Sequence, residues 1–300
     1  MWEVSSLFEN IGTVQDGMNT LSQTKDVGDI PNASAIQVNK GDIEFDQITF
    51  QYEQDKPVIE NLTLQIKAGE KLGLVGRSGA GKSTLLNAIA GETPCHKGSI
   101  SLDGNDISSL PVHKRAPQIA RVFQDPLMGT CEDLTIEENL ALAQARTKRR
   151  SLTRAAKSEY QERFMDKLKT LQLGLELRLN DKVGLLSGGQ RQAVSLLMAS
   201  LNPMKLLLLD EHTAALDPKT AQFILDLTEQ IVDEQQLTAL MVTHSMKQAL
   251  SIGDRTIMLH QGNIALDVDG EHRKSMTTND LLEQFQKNHE QIDDDALLLG

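Results

Sequence analysis

Residues 71–90, KLGLVGRSGAGKSTLLNAIA, constrain this chain more than any other stretch. The apolar run 72–75 reads as a buried strand, 76–83 (GRSGAGKS) as a glycine-rich loop, and 84–90 as a helix. Strand, G-x-x-x-x-G-K-S and helix, in that order, make a phosphate-binding loop. Glycines let backbone N–H groups turn inward around an anion where a Cβ would obstruct. The helix that follows presents its free N–H groups and its dipole to the same anion. The candidate contacts are therefore Gly76, Ser78, Gly79, Ala80, Gly81, Lys82, Ser83 and Thr84. Lys82 is expected on the β- and γ-phosphates, and the Ser83 hydroxyl on Mg²⁺.

The chain has 300 residues, enough to bury a sizeable core and a prior of about two domains. A net charge of −12 argues against a nucleic-acid surface and against simple adhesion to anionic lipid. Cys95 and Cys131 lie 36 apart without metal-ligand spacing, which suits a reducing compartment and no disulfide. No run of about 18 apolar residues and no N-terminal secretory pattern is present, so the expected location is cytoplasmic.

Along the chain, Val4, Leu7, Ile11, Val14, Met18 and Leu21 form a helical seam within residues 1–24. The seam reads either as a terminal helix packing on its own domain or as a helix expecting an apolar partner. A polar linker follows to about residue 40. Ile43, Phe45, Ile48 and Phe50 then mark a strand pair or a bend, and 58–66 a second strand of an antiparallel sheet. Tyr52 beside them is either an aromatic face for adenine or a half-buried strand residue. Further strands are expected at 98–102, 119–123, 205–209, 237–242, 255–259 and 264–268. Helices are expected at 136–145, 146–173 with a basic side, 186–201, 223–232 and 277–290, before an acidic tail at 291–300.

The further motifs come in the order Tyr52, GRSGAGKS, Gln124, LSGGQ at 186–190, LLLLDE at 206–211, Asp217 and His244. This order resembles the nucleotide-binding domain of an ATP-binding cassette (ABC) ATPase over roughly residues 41–269. The resemblance implies an α/β fold, a P-loop NTPase core with a mixed sheet, an N-terminal antiparallel β subdomain and an inserted α-helical subdomain at about 126–200. The domain itself would span 41–290. ATP and Mg²⁺ are the implied ligands. Asp210 ends an apolar strand where open α/β sheets bind ligands and would fix the Mg²⁺ shell with Ser83 and Gln124. Glu211 would be the general base for the attacking water. His244 would hydrogen-bond the γ-phosphate and the water, and Gln124 would sense both and couple to the helical subdomain. His212 stands where the family usually has proline; it and the remaining histidines read as structural. Ser187, Gly188, Gly189 and Gln190 open a helix and make a second anion-binding terminus. In the family this terminus meets ATP held by a second cassette, and Asp217 reaches across the same interface. The partners implied are a homodimer or heterodimer of cassettes and membrane-spanning subunits, with no nucleic acid. The chain would then sit peripherally at the inner face of the membrane.

The resemblance divides. Residues 1 to about 84 resemble an exporter-type half-transporter, whereas about 85–290 resemble the ATPase subunit of an import system. A hybrid and an import subunit with an unusual N-terminal extension both fit. A transport ATPase is the leading reading. A non-transport ABC ATPase acting on DNA or ribosomes is disfavoured by the acidic charge and by only 63 residues between Gln124 and Ser187. A binding-only regulator is disfavoured because every catalytic position is intact.

Overall fold

The computed structural model describes residues 41–53, 56–146 and 158–288. The seam helix in residues 1–24, the linker to residue 40, the acidic tail and 147–157 of the anticipated basic helix lie outside the described residues.

Two sheets carry the fold. The first has the order β2-β1-β4-β5, with β1 Ile43–Glu53, β2 Lys56–Ile66, β4 Lys97–Leu102 and β5 Asn105–Asp106, all antiparallel. β1 is one bent strand: Gln47 takes φ 49 and the register slips between Phe45 and Ile48. The second sheet has the order β10-β9-β3-β8-β7-β6. Here β3 is Lys71–Gly76, β6 Ile119–Val122, β7 Leu206–Asp210, β8 Thr238–Val242, β9 Arg255–His260 and β10 Asn263–Asp269. Its pairs are parallel except β9 with β10. The architecture is the expected α/β one with an antiparallel and a mixed sheet.

The unbroken apolar run of β7 is explained by burial on both faces. Leu206 and Leu208 join the core under the antiparallel sheet, with Phe45, Phe50 and Leu85. Leu207 and Leu209 join the opposite core with Ile136, Phe164 and Val194. That second core belongs to the helices α3 Ile136–Ala145, α4 Ser158–Lys169, α5 Gly188–Ser200 and α6 Pro218–Gln235. The first core holds α1 Lys82–Ala90; the short α2 is Val112–Arg115. The chain continues through α7 Met246–Ile252, α8 Gly270–Ser275 and α9 Thr278–Asn288.

Two helix boundaries differ from the sequence pattern. α4 ends at Lys169, before Gln172 enters the left-handed region at φ 54. Within its described span it also carries Glu159, Glu162 and Asp166 beside Arg163, Lys167 and Lys169, so that stretch is mixed in charge rather than basic. α6 starts five residues early because Asp217 accepts from Thr220 N (3.1 Å) and Pro218 occupies the first turn, which its fixed φ favours.

Candidate functional site

The register of the mixed sheet brings three strand ends together. Leu74 of β3 pairs with Val242 of β8, and Val242 pairs with Asp210 of β7. The phosphate loop, Glu211 and His244 therefore leave the same edge, where the loops of an open parallel sheet gather ligands. Glu211 N donates to Val242 O (3.0 Å) and Thr243 N to Leu74 O (3.1 Å), which closes that edge.

The loop between β3 and α1 needs glycine for two different reasons. Gly76 packs on Leu259 O, so a Cβ there would strike backbone. Gly79 has open space around it, but its φ of 81 lies in the left-handed region, where a Cβ strains the chain. Gly81 is the N-cap of α1 at φ 100, and no side chain caps the helix. Its first amides are thus left for an anion. Lys82 is 5% exposed and donates from Nζ to Gly76 O (2.7 Å) and Arg77 O (3.0 Å). Burial lowers its pKa from the ordinary 10.5, while Glu211 and Asp210 pull the other way.

A cleft of ≈ 330 Å³ is lined by Tyr52, Val58, Ser78, Gly79, Gly81, Lys82, Ser83, Thr84, Glu211 and His244. Tyr52 is 63% exposed, not half-buried, and its hydroxyl lies 3.2 Å from Thr84 Oγ1. His244 Nε2 lies 2.7 Å from Glu211 Oε1, so the imidazole N–H is placed to donate to the carboxylate. Glu211 holds φ 46, which costs a non-glycine residue about 1–2 kcal/mol. Strain of that kind persists where the surrounding structure fixes it, as the Val242 bond does here.

Asp210 and Gln124 do not line this cleft. Asp210 Oδ2 accepts from Arg121 Nη2 at 2.6 Å. Gln124 is exposed, two residues beyond the end of β6. The LSGGQ residues are also apart from the cleft. Ser187 Oγ accepts from Gln190 N and Gln190 Oε1 accepts from Ser187 N, both at 3.2 Å, a reciprocal cap on α5. Asp217 likewise caps its own helix, and both Ser187 and Asp217 are exposed.

Three further residues shape these loops and escaped the sequence reading. Arg191 holds the turn before α5 by donating to Val183 O (3.3 Å), Gly184 O (3.0 Å) and Leu186 O (3.2 Å). Gln192 Nε2 donates to Phe123 O (3.2 Å), tying α5 to the residue before Gln124. Arg121 is the third; its only signal in the sequence is a charge inside the apolar run IARVF.

The family model described as "ABC transporter" matches residues 59–214, from β2 through the phosphate loop and the LSGGQ turn to the residues after Asp210. The chain belongs to the ABC transporter family. A tyrosine transport ATP-binding protein of Clostridioides difficile is 45% identical over 235 residues, 78% of this chain and 93% of that protein. An uncharacterized ABC transporter ATP-binding protein of Haemophilus influenzae is 34% identical over 283 residues; it matches 94% of this chain, which spans only 45% of it. Among solved structures, the ATP-binding cassette MJ0796, a dimer in a post-hydrolysis state bound to ADP and Pi, superposes with a TM-score of 0.66. It is 29% identical and is covered over 98% of its length by 76% of this chain. Import ATP-binding proteins and lipid A-core flippases both occur among the relatives. This chain is the ATP-binding subunit of an ABC transporter and an ATPase. No helix among its described residues is long and apolar enough to cross a membrane.

Proposed function

We propose that this cassette binds Mg²⁺–ATP at the cleft around Lys82 and hydrolyses it between two cassettes, driving transport through membrane-spanning subunits. The observation that carries the reading is the convergence of Lys82, Ser83, Glu211 and His244 on one cleft at the sheet edge. Lys82 and the free amides of α1 hold the phosphates, and exposed Tyr52 stacks on adenine. Glu211 takes the proton of the attacking water, and His244 orients both. Held against His244 Nε2, the carboxylate is fixed by a hydrogen bond rather than left to wander.

The donor set suits Mg²⁺. It offers oxygen only: the Asp210 carboxylate, the Ser83 hydroxyl and the Gln124 amide. Among the described residues no group of three or more His, Cys, Asp or Glu side chains could cage a metal. Mg²⁺ is commonly held by one or two carboxylates together with substrate phosphates, which is what such a set provides. When bound, the ion would neutralise charge on the β- and γ-phosphates.

The second cassette would supply Ser187, Gly188, Gly189 and Gln190 to the γ-phosphate, and Asp217 across the interface. Dimerisation of the neighbour MJ0796 supports this reading, as does the exposure of Ser187 and Asp217 in the single chain. The pair is either two copies of this chain or this chain with a second cassette. Bound to its membrane subunits, the chain lies at the inner face of the membrane. The split resemblance also finds support: flippases match 90% and 86% of this chain, whereas import proteins match 75% and 78%. A hybrid of an exporter-type N-terminal part and an import-type remainder accounts for the longer reach.

Two substitutions test the site. Lys82→Ala removes the buried ammonium and is expected to abolish ATP binding in a fluorescent-nucleotide titration. Glu211→Gln keeps the phosphate cradle and removes the base, so binding persists while phosphate release falls at least about a hundredfold. Undiminished turnover in Glu211→Gln would sink the assignment.

A further inference from the structure

We propose that Arg121 is a positioning residue for Asp210, and that it sets the Mg²⁺ concentration at which this cassette holds nucleotide. The proposal rests on the reading of Asp210 as the Mg²⁺ ligand.

Arg121 interrupts an apolar strand whose neighbours Ala120 and Val122 are buried. Its side chain is 10% exposed, and its guanidinium engages three groups from three parts of the chain. Nη2 donates to Asp210 Oδ2 at 2.6 Å. Nη1 donates to Asn87 Oδ1 on α1 at 2.7 Å and to Glu92 Oε2 beyond it at 2.9 Å. The ring of Phe123 lies beneath, 4.8 Å from the guanidinium carbon. The remaining Nε is buried and finds no acceptor among the described residues. A cation kept in a strand with an unsatisfied donor is poorly explained by stability alone, since an apolar side chain would suit the strand better.

The fork engages one carboxylate oxygen of Asp210 and leaves the other to a metal. It also joins that carboxylate to α1, the helix whose other end receives the phosphates. Two effects oppose each other. A fixed donor orders the carboxylate and favours Mg²⁺, whereas a nearby positive charge repels it. Glu92 decides between them. Its carboxylate, 2.9 Å from Nη1, offsets part of the guanidinium charge, so Asp210 meets a directional donor of reduced net charge. Ordering therefore prevails, and loss of the donor weakens the metal site, as loss of outer-shell partners does by about 10–100-fold. Glu92→Gln acts in the same direction by a different route, because it leaves the guanidinium uncompensated beside the ligand.

The experiment is a titration of MgCl₂ into the full chain with a fluorescent ATP analogue, with parallel binding in EDTA and thermal unfolding. Arg121→Met is expected to raise the half-saturating Mg²⁺ about tenfold, with binding in EDTA unchanged. Arg121→Lys, a point charge without the fork, falls between parent and Arg121→Met. Glu92→Gln, on the exposed rim, gives a smaller rise and keeps the test open should Arg121→Met fail to fold. Mg²⁺ dependence within about twofold of the parent in Arg121→Met or Glu92→Gln, with only the unfolding temperature lowered, would overturn the proposal. A parent whose nucleotide binding is indifferent to Mg²⁺ would instead overturn the reading of Asp210 beneath it.

Discussion

His212 follows Glu211 directly and is 2% exposed, with Nε2 3.1 Å from Thr228 Oγ1 on α6. Burial lowers its pKa from the ordinary 6.5 to about 4. The unfolded chain therefore binds a proton near pH 6.5 that the folded chain refuses until near pH 4. Stability is complete above about pH 6.5 and is lost as pH falls toward 4. At 1.36 kcal/mol per unit, the loss between pH 7.5 and 5 is about 2 kcal/mol from this side chain. Urea unfolding of the parent and of His212→Gln at both pH values measures it. The glutamine keeps a partner for Thr228 and cannot charge, so its stability should fall less by about that amount. Parallel pH slopes in the two proteins would remove His212 from the account. The sequence reads His212 as structural without showing what buries it, because an apolar strand ends two residues earlier, at Asp210, and the residues after it form a turn. The packing of α6 against that turn, with Thr228 on the ring, helps to exclude water.

At the scale of the element, α1 is open at one end and closed at the other. Its N-terminus has Gly81 and no side-chain cap, which leaves amides for phosphate. Its C-terminus ends on Gly91 at φ 84 and is met by Arg115, itself 3% exposed. Arg115 Nη1 donates to Ala88 O (2.6 Å) and Ile89 O (2.9 Å), Nε to Leu110 O (2.8 Å), and Nη2 to Ser108 O (3.0 Å). A cation there complements the helix dipole. Arg115→Ala strands buried carbonyls, and a loss of about 3 kcal/mol in chemical denaturation is expected. Arg115→Lys reaches fewer of the four and should recover only part; full recovery would reduce the role to charge alone. The strand, loop and glycines of this element were legible at once, because they are local. The partners of its two ends were not. Arg115 lies 27 positions from Ala88, and periodicity tells which face is apolar without naming what covers it. The same limit explains α6. Asp217 and Pro218 are a cap and a first turn, a local role that the motif does not announce. The conformation at Glu211 was equally hidden, since a strand ending in Asp-Glu announces no left-handed turn.

At the scale of the whole molecule, the residues that the sequence assigns to the two halves of an ATP site fall in different places. Lys82, Ser83, Glu211 and His244 share a cleft, while Ser187, Gly188, Gly189 and Asp217 do not line it. In one chain the phosphate cradle therefore lacks the second anion-binding terminus that the LSGGQ turn would provide. Were two copies of this chain to pair as proposed, each cleft would meet the partner's turn, and a two-fold interface would make both sites alike. The arrangement predicts complementation. Lys82→Ala loses the cradle but keeps the turn, whereas Ser187→Arg loads the turn with a bulky cation but keeps the cradle. Each variant alone is expected to be inactive, because every cleft in its homodimer lacks one half. Mixed in equal amounts, random pairing makes half the dimers mixed, and each mixed dimer carries one intact cleft of two. About a quarter of the parental phosphate release should return, provided one cleft turns over alone. The rate should rise with protein concentration as pairing becomes complete. A mixture no more active than its inactive components would mean that both clefts must be intact for turnover. An active site contained within one chain would instead leave Ser187→Arg active by itself.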